Sequence, residues 1–317
     1  MRKIKHILAL LLAVTAICAV KAQQAPIFTN YENSYATVNP GFGGLSEGVN
    51  LLGLYRDQWT GFKDDKGNNI APRTLLLSGD LPVRMLRGGL SLGIIKDQYG
   101  FEDNVDVSLG YSYHLDLGPG TLGIGLALSL VNRTMDFSKA ISLVNDPAIP
   151  SGKEADMLVD ANLGAFWQIP ETFYVGASVT NLFETKGKAL TSSSSTSASF
   201  VGDRTFYLVA EGEIQLNNPM LKILPSFSMM SDIASTQFNL GSKVMYNKRI
   251  WLGINYRHQE SIDAMIGITI KDIKISYSYD INILGLAVPG SHEVALSYCF
   301  KLNFDKTPRT YRSIRYL

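Results

Sequence analysis

Val105-Asp106-Val107-Ser108-Leu109-Gly110-Tyr111-Ser112-Tyr113-His114-Leu115, followed by Leu122-Gly123-Ile124-Gly125-Leu126-Ala127-Leu128-Ser129-Leu130, decides the fold. Every second residue is apolar or aromatic, and the residues between are small, polar or charged. That is the period of a β-strand, whose side chains alternate between two faces. The same alternation returns at Ile273, Ile275, Tyr277, Tyr279 and Ile281, and at Leu296, Tyr298, Phe300 and Leu302. Helical periodicity is sustained nowhere.

Working outward, fourteen segments read as strands: 49–59, 72–80, 88–97, 104–115, 121–132, 157–167, 173–181, 204–215, 221–230, 235–246, 250–258, 261–270, 272–280 and 292–302. Several run ten residues or more. That exceeds the usual strand of about 5–6 residues and approaches the 9–11 needed to cross a bilayer. The connections alternate in length. Short ones fall at 81–87, 116–120, 168–172, 216–220, 247–249 and Lys271. Between them lie 60–71, 98–103, 133–156, 182–203 and 281–291, with two shorter links near 231–234 and 259–260. A soluble sandwich has no reason to alternate in this way. An outer-membrane barrel does, with short periplasmic turns, longer outer loops and an even strand number. The expectation is therefore an all-β fold, a transmembrane antiparallel β-barrel of about 14 strands in a bacterial outer membrane.

Composition agrees. Of 317 residues, 46% are hydrophobic and only 18% charged, below the roughly 25% charged of soluble domains. Mean hydropathy is +0.06, and past the N-terminus no stretch of about 18 apolar residues suggests a membrane helix. The 29 basic residues balance 28 acidic ones, so there is no basic surface for nucleic acid. At the N-terminus, Arg2, Lys3 and Lys5 precede an apolar run from Ile7 to Val20, and Val20-Lys21-Ala22 offers a cleavage site. Residues 1–22 read as a signal peptide. Cys18 would suit a lipoprotein, but Ile17 stands where lipid attachment needs a small residue. Cleavage leaves 25 basic against 28 acidic residues and the single Cys299. The domain expectation is a signal peptide 1–22, an N-terminal motif segment 23–48 that is periplasmic or plug-like, a barrel 49–302, and a C-terminal tail 303–317. The tail carries Lys306, Arg309, Arg312 and Arg315 against Asp305 alone.

Aromatic residues gather near the ends of the expected strands. Trp167, Phe173, Tyr246 and Trp251 flank the short turns, and Tyr55, Trp59, Tyr99, Phe101, Tyr256 and Tyr279 lie near the opposite ends, as two interfacial belts require. Arg56, Glu211, Glu213, Lys243 and Lys274 would be costly facing lipid and are expected in the lumen. Leu52, Leu54, Val131 and Val209 share that face, which suggests a narrow or filled interior.

No catalytic constellation is present: no G-x-S-x-G, no H-E-x-x-H and no Walker loop. His114, His258 and His292 fall on separate strands and read as lumenal polar lining. Asp64 to Asn69 resembles a calcium loop in composition only, lacking its spacing and terminal Glu. No cofactor or metal is expected, and the chain is not read as an enzyme.

The densest local signal surrounds the first strand. Gln24-Ala25-Pro26-Ile27-Phe28 leads to Asn39-Pro40-Gly41-Phe42-Gly43-Gly44, then Arg56-Asp57-Gln58-Trp59, Ala71-Pro72-Arg73-Thr74 and Asp97-Gln98-Tyr99-Gly100. This order resembles the PorP/SprF family of type IX secretion outer-membrane proteins, in which Q-x-P-x-F, N-P-A-aromatic-x-G, R-x-Q-W, A-P-x-T and D-x-x-G follow one another. The matching positions are Asn39, Pro40, Phe42, Gly44, Arg56, Gln58, Trp59, Ala71, Pro72, Thr74, Asp97 and Gly100. Gly41 departs from the usual Ala. The resemblance implies a non-enzymatic secretion component that assists export or surface anchoring of a secreted client, including gliding adhesins, and contacts periplasmic ring components. Its partners would be outer-membrane lipid, the client and that ring. The loops 133–156 and 182–203 are candidates for the outer contact, and the termini for the periplasmic one. The alternative is a transport channel for a hydrophobic or small polar solute. Arg56 is expected to pair with a carboxylate or a carbonyl in the lumen.

Overall fold

The structure, a computed structural model, describes residues 25–46, 48–64, 67, 69–139, 152–189, 199–283 and 288–301. The expected signal peptide, the basic tail 303–317, residues 140–151 and 190–198 of the two candidate outer loops, and three residues of the calcium-like loop lie outside them. Among the described residues fourteen strands build one barrel: β1 Gly48–Asp57, β2 Arg73–Val83, β3 Gly88–Tyr99, β4 Glu102–Leu117, β5 Gly120–Asp136, β6 Lys153–Ile169, β7 Phe173–Thr180, β8 Thr205–Gly212, β9 Leu221–Ser231, β10 Thr236–Tyr246, β11 Ile250–Arg257, β12 Ser261–Ile270, β13 Ile273–Asn282 and β14 Ser291–Lys301. Past Glu213, Ile214–Gln215 continues β8 along β9.

Each strand pairs antiparallel with the next, and the β1–β14 seam, from Gly48 opposite Lys301 to Asp57 opposite His292, closes the circle. Closure leaves the barrel without a free edge, as a bilayer requires. No described helix is long and apolar enough to cross a membrane. Every expected strand is present. The link expected at 98–103 shrinks to Gly100-Phe101, because β3 and β4 keep pairing to Tyr99 opposite Glu102 and Gly100 takes a φ of +56°. Strands β4 to β6 reach 16–17 residues.

The burial pattern inverts that of a soluble protein. Ile250, Leu252, Ile254, Leu126, Leu128 and Leu296 are exposed on the outside, whereas Ser129, Asp263, Asp280 and Glu293 are buried inside. This is the lipid-facing apolar, lumen-facing polar division of a membrane barrel. Trp167, Phe173 and Tyr246 stand outside near the turns, and Tyr256 and Tyr279 near the outer rim. Four expectations are corrected. Trp251 is buried in the lumen, beneath the Lys243 and Lys274 ammonium groups at 5.6 and 6.0 Å from its ring. Gly267 makes the space, since a Cβ there would lie 2.2 Å from the indole. Tyr99 also faces inward. Trp59 lies beyond β1 in a turn with φ of +53°, where strand alternation no longer applies. His292 points outward, its Nδ1 2.8 Å from the Tyr277 hydroxyl.

Candidate functional site

Residues 25–46 lie inside the barrel. Ala25 and Pro26 stand at the outer end beside Thr74 and His258. Gly44 reaches the opposite end, where its N–H donates to Asp80 at 3.1 Å. The segment is compact because its own polar side chains turn it. The Ser34 hydroxyl donates to the Tyr31 carbonyl at 2.8 Å, and Thr37 to that of Ser34 at 2.7 Å. Asn39 caps the next turn by accepting from the Gly41 N–H at 2.9 Å, with Pro40 at the first helical position, the arrangement both residues favour.

Two different walls hold this segment. Strands β3 to β7 present small residues. A Cβ on Gly125 would lie 2.3 Å from the Pro40 carbonyl carbon, one on Gly123 2.1 Å from the Gly41 oxygen, and one on Gly164 2.1 Å from Asn39 Oδ1. The backbone therefore packs directly on the wall. Asn39 Nδ2 donates to the Ala165 and Ala177 carbonyls at 3.1 and 3.3 Å, and Ser112 Oγ to the Gly41 carbonyl at 2.9 Å. His114, on the same side, stands with Nε2 3.0 Å from the Gly43 oxygen. Gly41 leaves no room either, since a Cβ would approach the Gly123 oxygen to 2.7 Å. The Gly-for-Ala departure at this position thus relieves a close contact. Rings fill the remainder: Tyr35 packs against Phe42, Phe166 and Tyr174, and its hydroxyl lies 2.9 Å from that of Tyr174.

The opposite wall, β8 to β14 with β1, is charged. Arg56, 2% exposed, places Nη2 2.7 Å from Asp280 and Nη1 3.3 Å from Glu293. Nη1 also donates to the Thr29 hydroxyl at 2.7 Å. Glu293 accepts the Thr29 and Asn30 N–H groups at 2.8 and 3.0 Å, and Thr29 Oγ1 donates to Asp280 at 2.7 Å. Arg257 extends the cluster, 2.9 Å from Glu260 and 3.6 Å from both Asp263 and Asp280. Deeper in, Glu32 bridges Lys243 at 2.9 Å and Lys274 at 2.6 Å, and Lys243 also meets Glu211 at 2.9 Å. Buried charges are costly unless paired and hydrogen-bonded, and here each is paired and hydrogen-bonded, although Arg56 Nε has no partner of its own. Glu213 pairs with Lys222 near the periplasmic turns. At the exposed turn beside it, a hydrogen bond from Lys248 holds the Glu171 carboxyl below its ordinary value.

The motif positions fall into two groups around this segment. Asn39, Pro40, Phe42 and Gly44 are the segment's own docking turns. Phe28 packs against Leu54 and Leu76, next to Arg56 and Thr29. Gln58, Trp59, Pro72, Thr74 and Asp97 gather at the outer end, where the Gln58 N–H donates to the Pro72 carbonyl at 2.9 Å and Thr74 Oγ1 to Asp97 at 2.6 Å. Ala71 is buried, its N–H bonded to Asn69. Gly100 stands apart, supplying the β3–β4 turn. Sequence reasoning missed the receiving wall of Gly123, Gly125 and Gly164. Its signal was present as the small face of two apolar strands. No group of three His, Cys, Asp or Glu side chains among the described residues is arranged to hold a metal.

Fold and lumen together define an outer-membrane β-barrel that encloses its own N-terminal segment. The chain belongs to the PorP/SprF family: the model for the type IX secretion system membrane protein PorP/SprF matches residues 20–298. No curated protein matches it. Similar solved structures include a Pseudomonas aeruginosa FadL homologue, at 12% identity over 84% of this chain and 94% of that one, TM-score 0.49. The Pseudomonas putida toluene transporter TodX matches at 11% identity over 90% of this chain and 97% of that one, TM-score 0.46. The Acinetobacter baumannii outer membrane protein Omp33 matches at 6% identity over 81% of this chain and 100% of that one, TM-score 0.44.

Proposed function

We propose that this protein is a non-enzymatic companion of type IX secretion in the outer membrane, which assists export or surface anchoring of a particular secreted protein, such as a gliding adhesin, and contacts the periplasmic ring of the machine. The observation that carries this reading is the occupied lumen. Residues 25–46 are bonded along the whole barrel: to Glu293 and Asp280 of the charged wall, to Ala165 and Ser112 of the opposite one, and to Asp80 of β2 at the far end. A barrel filled by its own chain favours a docking role over a conduit for a protein. The outer loops 133–156 and 182–203 are the parts offered to the client. Of the two termini expected to meet the ring, the C-terminal tail is the part offered to it, since Ala25 stands at the outer end.

Purification of the tagged barrel from native outer membranes in mild detergent, with mass spectrometry of co-purifying proteins, tests this. A large secreted protein with a C-terminal sorting domain, or periplasmic ring components, is expected. A barrel that emerges alone after crosslinking refutes the reading and directs attention to solute uptake.

A further inference from the structure

The lumenal clasp, Arg56 with Asp280 and Glu293 around Thr29, and the segment's docking turns account for five of the twelve motif positions and leave the five at the outer end without a task. At the outer end a cavity of about 490 Å³ lies against Ala25, Pro26 and Ile27, and five motif residues line it: Gln58, Trp59, Pro72, Thr74 and Asp97. A neighbouring chamber of about 130 Å³ shares Asp97 and Tyr99 as walls. The larger cavity falls within the 300–1,000 Å³ of small-molecule sites.

Its lining selects a chemistry. Gln58, Gln237 and Gln259 contribute amides that both donate and accept, Thr74 and Thr236 hydroxyls, and Asp97 and Glu260 carboxylates. Trp59 and Tyr99 add aromatic rings. Among the described residues no Lys or Arg lines this cavity; His258 does, and Glu260 is already paired with Arg257, so an anionic ligand would meet the Asp97 carboxylate with no Lys or Arg to offset it. The aliphatic contribution is confined to Ala25, Ile27 and two prolines, too little for a hydrocarbon. An extended peptide bound by strand addition would need open main-chain groups, and the nearby ones are committed. Trp59 N–H donates to Ser291 Oγ at 3.1 Å and Thr60 N–H to the Gly290 carbonyl at 3.0 Å.

We propose that this outer cavity is a saccharide-binding site that takes a neutral sugar unit. Such a ligand carries several hydroxyls, each donor and acceptor, on a ring with apolar C–H faces. The amides, carboxylates and hydroxyls match the first feature and the Trp59 and Tyr99 rings the second. The groups are held before any ligand arrives. Thr74 fixes Asp97 at 2.6 Å, leaving the other carboxylate oxygen to accept. Gln237 Nε2 donates to the His258 carbonyl at 3.0 Å, orienting its amide oxygen. Trp59 is braced edge-on by Phe62 at 6.3 Å. Locked side chains lose little freedom on binding. The site goes beyond the secretion role and does not depend on it.

The test uses the full-length barrel in detergent, titrated with maltotetraose, cellotetraose, mannotetraose and chitotetraose. Tetragalacturonate, toluene and a glutamine tetrapeptide serve as the anionic, apolar and peptide comparisons. Calorimetry and tryptophan fluorescence are read in a Trp167→Phe background. At least one neutral saccharide is expected to bind one to one and to change the fluorescence. Trp59→Phe should remove the fluorescence change, and Asp97→Asn and Gln237→Ala should each weaken binding about tenfold or more, the worth of a hydrogen bond to the ligand. Heat-modifiable gel migration shows that each variant barrel is folded, and Gln237→Ala, at the exposed end of β10, serves should Asp97→Asn not assemble. The proposal is overturned if no neutral saccharide binds, if only a comparison ligand binds, or if binding is indifferent to both variants.

Discussion

Replacing Arg56 with alanine removes the cation that joins β13, β14 and the lumenal segment at one point. Removing one partner of a buried ion pair costs about 3–5 kcal/mol, because the other charge is left uncompensated. The structure places this case at the lower end. Asp280 keeps Arg257 at 3.6 Å, and Glu293 keeps the Thr29 and Asn30 N–H groups. A loss of about 3 kcal/mol corresponds to roughly 150-fold in the equilibrium between docked and released segment. Amide hydrogen exchange on the folded barrel reads this directly, since Thr29 and Asn30 exchange only when released from Glu293. Their exchange is expected to rise by about two orders of magnitude, while the strand amides of β4 and β5 stay protected. Exchange at Thr29 and Asn30 within threefold of the parent, in a barrel that still shows heat-modifiable migration, would refute the view that Arg56 holds the segment.

Three further outcomes are expected. Gly125→Ala puts a Cβ 2.3 Å from the Pro40 carbonyl and should loosen the segment by about 1–3 kcal/mol, the usual cost of overpacking. Planar bilayers should then record openings that the parent lacks, and equally silent bilayers would count against the lumenal packing. Lys243→Met strands Glu211 while leaving Glu32 its Lys274 partner, so a loss of about 3 kcal/mol should be largely recovered in the double variant with Glu211→Gln, measured by denaturant midpoint as a double-mutant cycle. Gly44→Ala forces a side chain into a φ of +71° and within 2.5 Å of the Gly89 backbone, and chymotrypsin, which cleaves after aromatic residues such as Tyr35 and Phe42, should cut the segment faster in this variant than in the parent.

The barrel was legible because its signal is local. Strand periodicity, turn residues and loop lengths all sit within windows of about ten residues. Arg56, Glu211 and Lys243 could also be assigned inward, since a bilayer penalises them strongly on the other face. Of the clasp, only the need of Arg56 for a lumenal partner was legible; which carboxylates it meets, and Thr29 between them, were not. Thr29 meets Asp280 across 251 residues of chain, and nothing near either residue announces the other. The docking wall was hidden for another reason: Gly123, Gly125 and Gly164 read as weak strand formers until the Asn39-Pro40-Gly41 backbone is seen against them. Trp251 was misplaced because its position at a strand end suggested an interface, whereas the space above Gly267 across the sheet decides its direction.

The sequence distances within the clasp also bear on the order of assembly. The wall is built from sequence neighbours: β4 with β5 across a two-residue turn, and β5 with β6 across the longer link 137–152, each pair rewarded as soon as it forms. The segment's charged partners, Asp280 and Glu293, come from the last two strands, so those bonds await nearly the whole chain and the closing β1–β14 seam. Contacts of such span are the slowest to form. Strands that pair before these bonds exist enclose a lumen lined with bare carboxylates and ammonium groups, and settling of the segment into that interior is then the step that turns a closed cylinder into the finished molecule.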